Sequence, residues 1–591
     1  MNKTLRLSEI IQKQAVLNVG CVGHVSNGKS TLVKQMTGIK TQKFKSERER
    51  NCTINVGYGN CKIFYSEDTG EYKFTGSGTT GETDSKDGPM KLIHHISFVD
   101  CPGHENYMSN MLCGASVIDM AFLVEAANAP QIPQPQTLEH FIAVQQSEID
   151  DIVVIQNKCD LVKKRELLLN KDKIEDFVEE HTDTPLPIIP LIAQTGGNID
   201  YVGRYLANKL LNYTKDLNLP LRINIIRTFD INKPNTSLDK FKGGILGGSI
   251  SQGILHTGDI IQISPGVCSL KKDGSWKVSP LFTRVVSINS EKNSADYAIP
   301  GGLIGVGTLI DPAYTKSNSL TGQIITKPGE HLSVSSEIVI KYKSFRRVSK
   351  ISKSLAINEI LKLGILCKHV TAKVTKWDKK NKQISLSLSI PCCINDDSIS
   401  IMKKIDKTYK IFSIGHIVSK NIIEVDIPAD YIVQDNNTYT IVNDICKTAE
   451  LDCFDYDTML NALDNKFIET KRLKIPNPII TRLKNGAKQV VNNYKALLES
   501  IYNENDEVSI DVLLEKSLSD ELSCPVNAID KNRLIIHGKV HAAAINNGIS
   551  KHICRLRKCR VCKGSRSFLS KDGRHLMLNC QDCKATNVVT L

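Results

Sequence analysis

Residues 23–30 have the types and spacing that a phosphate-binding loop requires. They read GHVSNGKS, the pattern G-x-x-x-x-G-K-S, between a strand-like run at 15–22 and a helix-like run at 32–36. Glycines in such a loop let backbone N–H groups surround phosphate oxygens, and the N-terminus of the following helix adds positive potential. Lys29 would reach the β- and γ-phosphates, and the Ser30 hydroxyl would be a ligand of Mg²⁺. Taken alone, the pattern also fits an unrelated glycine-rich turn. The residues predicted to contact nucleotide in this segment are Gly23, Val25, Ser26, Asn27, Gly28, Lys29, Ser30 and Thr31.

A second group with suitable chemistry, DCPGH at 100–104, follows the strand-like run HHISFV at 94–99. An aspartate at a strand end can hold the metal ion through water, which is the role predicted for Asp100. The N–H group of Gly103 can meet a γ-phosphate, and His104 can orient the attacking water. These features predict hydrolysis of a nucleoside triphosphate.

The stretch RERNCTINVGY, residues 48–58, lies between these two motifs and is called the switch stretch below. A hydroxyl there can complete the Mg²⁺ shell only when a γ-phosphate is present, so the stretch would be ordered with the triphosphate and released after hydrolysis. Thr53 is the candidate for that hydroxyl; the alternative is an ordinary threonine at a strand edge. The predicted catalytic residues are therefore His104, Lys29 and Thr53, and the predicted Mg²⁺ ligands are Ser30, Thr53 and Asp100.

A third motif, NKCD at 157–160, indicates which nucleotide base is bound. It follows the strand-like run DIVVI at 151–155. Asp160 would accept hydrogen bonds from guanine N1 and N2, Asn157 would bond the base edge, and the stem of Lys158 would cover the ring face. A site that pairs with the donor pattern of guanine discriminates strongly against adenine. The motifs together predict GTP and GDP as ligands.

Four cysteines near the C-terminus have the spacing of a metal site, C-x2-C-x17-C-x2-C. They are Cys559, Cys562, Cys580 and Cys583. Four thiolates complete tetrahedral Zn²⁺ and leave no open position, so the predicted role is structural. Unrelated cysteines are the alternative reading. The basic residues around them favour RNA phosphates, although a solvated basic face would look the same.

The three nucleotide motifs each follow a strand, which predicts an α/β sheet with the site at its carboxyl edge. Residues 220–428 contain short β-branched runs separated by Gly, Asp-Gly and Pro turns, as small barrels do. A chain of 591 residues is too long for one core, and its net charge of +13 favours a polyanionic partner or a solvated basic surface. We find no secretory signal and no membrane-spanning run, so a reduced, cytoplasmic location with no membrane partner is expected.

The motifs resemble those of translational GTPases, and later runs narrow the resemblance. PQPQTLEH (133–140), RTFDINKP (227–234), KGGILGGSISQGIL (242–255) and YAIPGGLIGVGTLIDP (297–312) are similar to the gamma subunit of translation initiation factor 2. The resemblance implies a GTPase that binds initiator methionyl-tRNA, delivers it to the small ribosomal subunit and hydrolyses GTP on start-codon recognition. An alpha-like subunit, a GTPase-activating factor and an exchange factor are candidate partners. The open alternatives are a non-hydrolysing decoy or scaffold, and another aminoacyl-tRNA carrier such as a selenocysteine elongation factor.

Position in that family suggests further site residues and some departures. Tyr58, Arg227 and Lys242 are the tRNA-contacting candidates. The guanine-supporting loop reads Ile192-Ala193-Gln194 where the family has Ser-Ala, so the Ala193 N–H is expected to meet guanine O6, with Gln194 beside it. Asn27 stands where the family usually has His. The segment 64–90 has no cysteine, lacks the zinc knuckle of many relatives, and is expected to be a flexible loop.

The region after residue 450 resembles a different family, the beta subunit of initiation factor 2. The similar parts are a helix around Asp455-Tyr456, KIPNP at 474–478, NRLIIHGK at 532–539 and the zinc segment. Initiation factor 5 has a related module, so a factor-5-like origin stays open. The resemblance implies that Leu460 and Leu463 of the early helix face the GTPase domain, and two later helices are predicted at 490–502 and 508–518.

The chain thus reads as a multidomain gamma–beta fusion: a P-loop α/β domain, two β-barrels, a small α/β domain and a zinc ribbon. The predicted limits are 1–218 (GTPase domain), 219–331 and 332–428 (barrels), 429–449 (linker), 450–470 (docking helix), 471–553 (small α/β domain) and 554–591 (zinc ribbon).

Overall fold

The computed structural model forms two compact units, one of residues 1–193 with 198–459 and the other of 194–197 with 460–591. The described residues are 2–41, 53, 56–76, 83–85, 88–104, 107–108, 111, 114, 117–147, 149, 151–210, 215–233, 237, 241–291, 293–344, 355–394, 398–405, 408–425, 438–445, 455–467, 479–482, 488–499, 506–522, 524–530, 532–538, 540, 545, 548–549, 556–557, 567–572, 575–581 and 586–589. Within them, no helix is both long and apolar enough to cross a membrane.

The first unit begins with a strand and a helix, followed by an eight-stranded sheet with helices beside it. The elements are β1 (Asn2–Arg6), α1 (Leu7–Lys13), β2 (Leu17–Val22), α2 (Lys29–Thr37), β3 (Gly57–Tyr65), β4 (Tyr72–Gly76), β5 (Thr83–Ser85), β6 (Gly88–Asp100), β7 (Met120–Ala126), α3 (Pro135–Gln146), β8 (Ile152–Asn157), α4 (Lys164–Glu179), β9 (Ile188–Pro190) and α5 (Ile199–Leu210).

The strand order of this sheet is β4-β3-β6-β2-β7-β8-β9, with β5 paired to β6. Strands β6, β2, β7, β8 and β9 are parallel, and they read as near-continuous apolar runs because helices cover both faces. The register pairs Cys21 with Asp100 and Ala126 with Asn157, so the ends of these strands lie on one edge. The three nucleotide motifs therefore meet at the carboxyl edge, as predicted.

The described parts of the segment 64–90 are mostly strands, although its composition suggested a flexible loop. Strand β3 continues to Tyr65, and β4 pairs with it in antiparallel register, Cys61 opposite Gly76. Phe74 of β4 packs against the core of the sheet, and a Cβ atom at Gly203 would lie only 2.6 Å from its ring. Partial burial of this aromatic ring stabilises a hairpin whose polar composition alone favours a loop.

Two closed barrels follow the sheet, in agreement with the prediction for this part of the chain. The first contains β10 (Arg222–Phe229), β11 (Ile245–Gln252), β12 (Leu255–His256), β13 (Ile260–Leu270), β14 (Trp276–Ser290), β15 (Asn293–Ala295), β16 (Tyr297–Ala298), β17 (Ile304–Thr308) and β18 (Ile324–Thr326). Its ring runs β13-β18-β10-β11-β17-β14 and closes because β14 pairs with β13.

The second barrel has the closed order β19-β22-β21-β20-β23-β24. Its strands are β19 (Val334–Ser344), β20 (Ile360–Ile365), β21 (Lys368–Asp378), β22 (Gln383–Cys393), β23 (Ser398–Ile405) and β24 (Thr408–Lys420). Alternating buried positions, such as Leu361, Leu363 and Ile365 of β20, fill its interior. One end of this barrel packs on the first barrel through Val334 and Cys393.

The predicted linker contains ordered structure. Strand β25 (Thr438–Val442) pairs in parallel with β1, and Tyr439 is buried with Leu7 and Ile11 of α1. Asp444 accepts hydrogen bonds from the Ser8 N–H (3.0 Å) and hydroxyl (2.7 Å). The N-terminus of the chain thus holds the segment that leads away from the second barrel.

Helix α6 (Tyr456–Phe467) comes next, and the second unit continues with two small antiparallel sheets. The remaining elements are β26 (Ile480–Arg482), β27 (Gln489–Val491), α7 (Tyr494–Glu499), α8 (Ile510–Leu522), β28 (Val526–Asp530), β29 (Arg533–Ile536), β30 (Ser567–Asp572), β31 (His575–Cys580) and β32 (Thr586–Val588). The sheet orders are β26-β27-β29-β28 and β30-β31-β32, and one apolar cluster takes residues from both.

The helix predicted at 490–502 was wrong at its start. Val490 and Val491 belong to β27 and pair with Ile535 and Leu534 of β29, and the helix begins only at Tyr494. Apolar β-branched pairs fit a buried strand as well as a helix, and here the neighbouring strand decides.

Candidate active site

The loop between β2 and α2 has the backbone that its glycines predict. Gly23 and Gly28 have φ values of 133° and 98°, and Ser26 between them also has positive φ, 65°. A Cβ atom at Gly23 would lie 2.3 Å from the Val124 carbonyl oxygen, and one at Gly28 would lie 2.2 Å from Asn157 Nδ2. Glycine is therefore required at both positions by conformation and by space.

Lys29 is the first residue of α2, and its ammonium lies at the mouth of this loop. Its Nζ donates to the carbonyl oxygens of Gly23 (2.8 Å) and His24 (2.7 Å), and the side chain is buried. Burial lowers the pKa of Lys29, while the carboxylate of Asp100 acts in the opposite direction. A cation held at a helix N-terminus beside backbone N–H groups fits a bound polyphosphate.

The proposed Mg²⁺ ligands come from three separate parts of the chain. Ser30 Oγ lies 2.9 Å from Thr53 Oγ1, which joins α2 to the switch stretch. Asp100, fully buried at the end of β6, accepts a hydrogen bond from Thr41 Oγ1 at 2.5 Å. Two hydroxyls and a carboxylate are the hard oxygen donors that Mg²⁺ prefers, so these residues fit the ion. Thr41 had no sequence signal of its own.

Gly103 and His104 follow Asp100 at the edge of the sheet. A Cβ atom at Gly103 would lie 2.4 Å from Lys29 Nζ and 2.9 Å from the Gly23 carbonyl oxygen, so no other residue fits between the two motifs. His104 is half-buried, with its ring 5.8 Å from that of Tyr107. Burial, and then the charges of Lys29 and His104, lower the pKa of His24, which indicates that the two imidazoles are neighbours.

The N-K-x-D residues lie at the end of β8. Lys158 has φ of 62°, and Asp160 stands half-exposed in a 3-10 turn, Cys159–Leu161. Burial raises the pKa of Asp160 and lowers that of Lys158, and the charge of each opposes the shift of the other. A half-exposed carboxylate on this edge of the sheet can accept hydrogen bonds from the N–H groups of a guanine base.

Asn157 and Ala193 hydrogen-bond to each other, and Asn157 also bonds the phosphate loop. Asn157 Nδ2 donates to the Asn27 carbonyl oxygen (2.8 Å), and its Oδ1 accepts from the Ala193 N–H (3.0 Å). In this structure the N–H of Ala193 thus donates to Asn157, and its contact with guanine O6 stays a prediction. Asn157 joins the phosphate loop to the 193 loop, because each of its polar atoms bonds one of them. Gln194, the next residue, is half-buried.

Helix α3 supports the phosphate loop, a role that the sequence did not reveal. His140 Nδ1 accepts from the Gly23 N–H at 2.9 Å, and Thr137 Oγ1 donates to Glu125 at 2.7 Å. Burial keeps the pKa of His140 well below its ordinary value, so the ring is neutral and can accept. The available signals were a charged residue in the apolar strand β7 and a histidine in the run PQPQTLEH.

A cavity of about 190 Å³ lies between the sheet and the first barrel. Tyr58 and Arg227 line it together: the guanidinium lies 5.0 Å from the centre of the Tyr58 ring, and Arg227 Nη2 donates to the Val56 carbonyl oxygen at 2.6 Å. Glu291 is also in the lining and accepts from the Asn60 N–H of β3 at 2.8 Å. Lys242 is exposed elsewhere, its N–H and carbonyl both bonded to Asn232 (2.8 Å each). Two of the three predicted tRNA residues therefore come together.

The predicted zinc ligands lie mostly outside the described residues. Cys559, Cys562 and Cys583 are in that part, while Cys580 ends β31 and is buried opposite Ser567. Among the side chains that the structure describes, no group of three or more His, Cys, Asp or Glu is arranged to hold a metal.

Comparison with known families agrees with this geometry. The model described as the elongation factor Tu GTP binding domain matches residues 14–218, and that of the initiation factor eIF2 gamma C terminal domain matches 336–417. A domain found in initiation factors 2B and 5 matches 464–586. These matches define a translational GTPase, because the chain also has a phosphate loop, an N-K-x-D motif at the same sheet edge and two barrels after the sheet.

Similar proteins identify the family within this class. The chain is 37% identical over 432 residues to eukaryotic translation initiation factor 2 subunit 3 of Drosophila melanogaster, covering 69% of this chain and 90% of that protein. It is 35% identical over 434 residues to eukaryotic translation initiation factor 2 subunit gamma of Schizosaccharomyces pombe, covering 70% and 96%. The chain belongs to the family of eukaryotic initiation factor 2 gamma subunits.

Solved structures share the fold. A bacterial selenocysteine-specific elongation factor, EF-Sec, superimposes with a TM-score of 0.52 at 21% identity, over 69% of this chain and 59% of that one. Elongation factor SelB from Methanococcus maripaludis, in complex with the GTP analogue GppNHp, gives a TM-score of 0.50 at 16% identity, over 90% and 100%. At these identities the likeness concerns the fold alone.

Proposed function

We propose that this chain binds initiator methionyl-tRNA in its GTP form, delivers it to the small ribosomal subunit in the cytoplasm, and hydrolyses GTP when the start codon is recognised. The observation that carries the proposal is the hydrogen bond from Arg227 to the Val56 carbonyl oxygen, because Val56 lies three residues after Thr53. A change at Thr53 on loss of the γ-phosphate can thus reach the cavity through the same stretch.

Hydrolysis would depend on positioning and electrostatic stabilisation. Lys29 holds the β- and γ-phosphate oxygens, and Gly103 presents its N–H to the γ-phosphate. His104 orients the water that attacks. Ser30, Thr53 and Asp100 would hold Mg²⁺, which supplies neutralisation of the charge that develops on the phosphate oxygens. Asp160 would select guanine, with Lys158 over the ring.

The 190 Å³ cavity is our proposed site for the aminoacylated end of the tRNA. Its walls are mostly apolar, with Ile226, Phe229 and Leu303, which suits a methionyl side chain. Arg227 can meet a phosphate or carbonyl oxygen, and Tyr58 offers a ring face for a base. Lys242 does not line the cavity, so it would contact the tRNA elsewhere.

The second barrel is our candidate for the contact with ribosomal RNA. Residues 332–428 hold 18 lysines and arginines against 8 aspartates and glutamates, so 10 of the 13 net positive charges of the chain are here. Exposed lysines collect at one end of the barrel, called the lysine end below, where β19 finishes and β21 turns into β22. They are Lys341, Lys376, Lys379, Lys380 and Lys382.

The lysine end faces away from the first barrel, which packs at the opposite end through Val334 and Cys393. Asp378, the acidic residue of the turn, accepts from the N–H groups of Lys380 and Asn381 (3.0 Å each), so it shapes the turn. Clustered ammonium groups suit the phosphates of a folded RNA, with affinity that falls as salt rises.

The start of helix α6 is proposed to dock on the GTPase domain, as a beta-subunit-like segment would. The Tyr456 hydroxyl donates to Gln156 Oε1 of β8, Lys171 lies over the Tyr456 ring at 5.3 Å, and Met459 joins the core of the sheet. Asn198 Nδ2 donates to the Met459 carbonyl oxygen at 2.7 Å. Covalent linkage would give this helix an effective concentration on the order of millimolar, so assembly needs no second chain.

For the rest of the tail, we propose a structural zinc held by Cys559, Cys562, Cys580 and Cys583, supported by their spacing. The domain limits given from the sequence remain part of this proposal, as do an alpha-like subunit, a GTPase-activating factor and an exchange factor as partners. The match of 464–586 to a domain found in initiation factors 2B and 5 supports a fusion and fits either a beta-like or a factor-5-like origin.

Filter binding of methionylated initiator tRNA, with GTP against GDP, tests the carrier role. Equal affinity in the two states would reject it, and preference for selenocysteyl-tRNA would favour a selenocysteine factor. GTP turnover with small ribosomal subunits, measured beside His104→Ala, tests the enzyme against the decoy. Stimulation in the parent chain that is lost in the variant is expected; no stimulation in the parent chain would favour the decoy.

A further inference from the structure

A buried carboxylate lies beneath the phosphate loop and takes no part in the mechanism above. Glu125 is next to the last residue of β7, whose other residues are apolar and buried, and it is 2% exposed. Its Oε2 atom accepts hydrogen bonds from Asn27 Nδ2 (3.0 Å) and Thr137 Oγ1 (2.7 Å). Because a buried carboxylate is unfavourable without such donors, these bonds show that Glu125 is built into the support of the loop.

Asn27 connects Glu125 to the most strongly bent part of the loop. It stands between Ser26 and Gly28, which have φ of 65° and 98°. Its Nδ2 also donates to the Val124 carbonyl oxygen at 2.9 Å, and the Asn27 side chain is 2% exposed. The carboxylate therefore fixes the side chain of the residue immediately before Gly28, the N-cap of α2.

Glu125 has little water and few charges around it. It borders a cavity of about 10 Å³ whose other walls include Ile174 and Phe177 of α4, room for about one water at most. The charged group facing it from α2 is Lys29. Its β8 register partner is the uncharged Gln156.

The remaining neighbours are on α3 and in the turn before it. His140 of α3 is kept neutral by burial. Burial raises the pKa of Glu125 to about 7, although the hydrogen bonds from Thr137, the Gln134 backbone and Asn27, and the charge of Lys29, all act to lower it. The acid and the carboxylate are thus both populated near neutral pH.

We propose that Glu125 is a positioning residue of the phosphate loop and that it takes up a proton from solvent when the chain binds GTP or GDP. Bound phosphates bring negative charge to the loop that Glu125 supports. They also pair with Lys29, whose charge otherwise favours the carboxylate. Both effects favour the neutral acid, whose carbonyl oxygen can still accept from Asn27 and Thr137, so the loop keeps its support.

The direction of the pH dependence follows from this uptake. Nucleotide binding raises the pKa of Glu125 above 7. The affinity for nucleotide therefore falls as pH rises from about 7, the pKa in the free chain, to the pKa in the complex, and it falls tenfold for each pH unit in that range. For folding, the native pKa of about 7 lies above the ordinary 4.5, so the folded chain keeps a proton that the unfolded chain has released. The contribution of this group to stability therefore declines as pH rises from 4.5 to 7.

Calorimetric titration of the full chain with GDP and Mg²⁺ at about pH 7.5 tests the proposal. Repeating the titration in buffers of different ionisation enthalpy gives the number of protons taken up. We expect the parent chain to take up a substantial fraction of a proton more than Glu125→Gln, which also shows a flatter pH profile of affinity. Glu179→Gln, an exposed glutamate at the end of α4, is the matched control and should behave as the parent chain does.

Equal proton numbers in the parent chain and Glu125→Gln would overturn the proposal. A merely structural role would weaken GDP binding at every pH and leave the shape of the profile unchanged. If Glu125→Gln does not fold, Thr137→Val serves instead. This variant removes a donor that favours the carboxylate, so the midpoint of the pH profile should move to higher pH; an unchanged midpoint would again overturn the proposal.

Discussion

Replacing Asn157 with alanine should weaken nucleotide binding without changing how the base is read. The side chain is 2% exposed and bonds the Asn27 carbonyl oxygen (2.8 Å) and the Ala193 N–H (3.0 Å). The variant loses both bonds and leaves two buried backbone groups without these partners. Each unpaired group costs about 1–2 kcal/mol of free energy, so the variant loses about 2–4 kcal/mol in total, shared between the free energy of folding and that of binding. If half appears in binding, GDP affinity falls by about 5- to 30-fold.

Competition of GDP and 7-deaza-GDP against a fluorescent nucleotide separates the two roles of Asn157. The deaza analogue lacks the N7 acceptor on the base edge. Because the side-chain atoms of Asn157 bond the two loops, the ratio of the two affinities should be the same in the parent chain and in Asn157→Ala. Asp160→Asn is the control that must change base preference. Its amide offers a hydrogen-bond donor where the carboxylate accepts, so this variant should favour xanthosine diphosphate (XDP) over GDP.

The reasoning fails if the parent chain prefers GDP over the deaza analogue and Asn157→Ala loses that preference. Such coupling would mean that Asn157 contacts the base directly, as its place in N-K-x-D first suggested. A loss of GDP affinity below about twofold would also refute it, because the two loops would then not depend on this side chain.

Four further results are expected. Arg227→Met keeps an unbranched stem but loses the hydrogen bond to the switch stretch. In filter binding, the tRNA affinity of the GTP form divided by that of the GDP form should approach one, while the affinity for GDP itself stays within about twofold of the parent chain. An unchanged ratio would exclude coupling through this residue. Lys380→Ala with Lys382→Ala should lower the salt dependence of small-subunit binding by about 1.4–1.8 in log–log slope, whereas an alanine pair in the β13–β14 turn should leave it unchanged; equal slopes would remove the lysine end from the interface. Leu460→Asp with Leu463→Asp should speed hydrogen exchange in the GTPase domain, since the proposed docking places both side chains against that domain; unchanged exchange would count against docking. Chelation should release one zinc per chain and unfold the tail, detected by limited proteolysis, yet leave GDP affinity intact; a chain that contains no zinc would reject the ribbon.

The meeting of the three motifs at one edge of the sheet could be predicted because they combine local sequence with a rule of topology. Lys29, Asp100 and Asn157 each follow or end a strand of one parallel sheet, so placing the strands also placed the residues. Hydrogen-bond partners could not be predicted in the same way. Whether Asn157 bonds a base or two loops depends on loop backbone conformation, which the pattern N-K-x-D does not specify.

The fold was mispredicted where burial overrides composition. Polar residues around β4 suggest a loop, but the Phe74 ring fits the space left by Gly203, and the hairpin follows from that contact. Val490 and Val491 fit a helix or a strand equally well until β29 lies beside them. In both cases a partner distant in the sequence decides the local structure.

Two of the polar links between the sheet and the first barrel have different consequences for the nucleotide cycle. The Glu291 carboxylate accepts from the Asn60 N–H, well inside β3, where strand pairing with β6 holds the backbone whatever the nucleotide. Arg227 instead bonds Val56, just before β3 begins and close in sequence to Thr53. Release of Thr53 would therefore leave the Glu291 link in place and disturb the Arg227 link. A barrel that stays attached while one wall of its cavity moves can lose the end of a tRNA without separating from the GTPase domain.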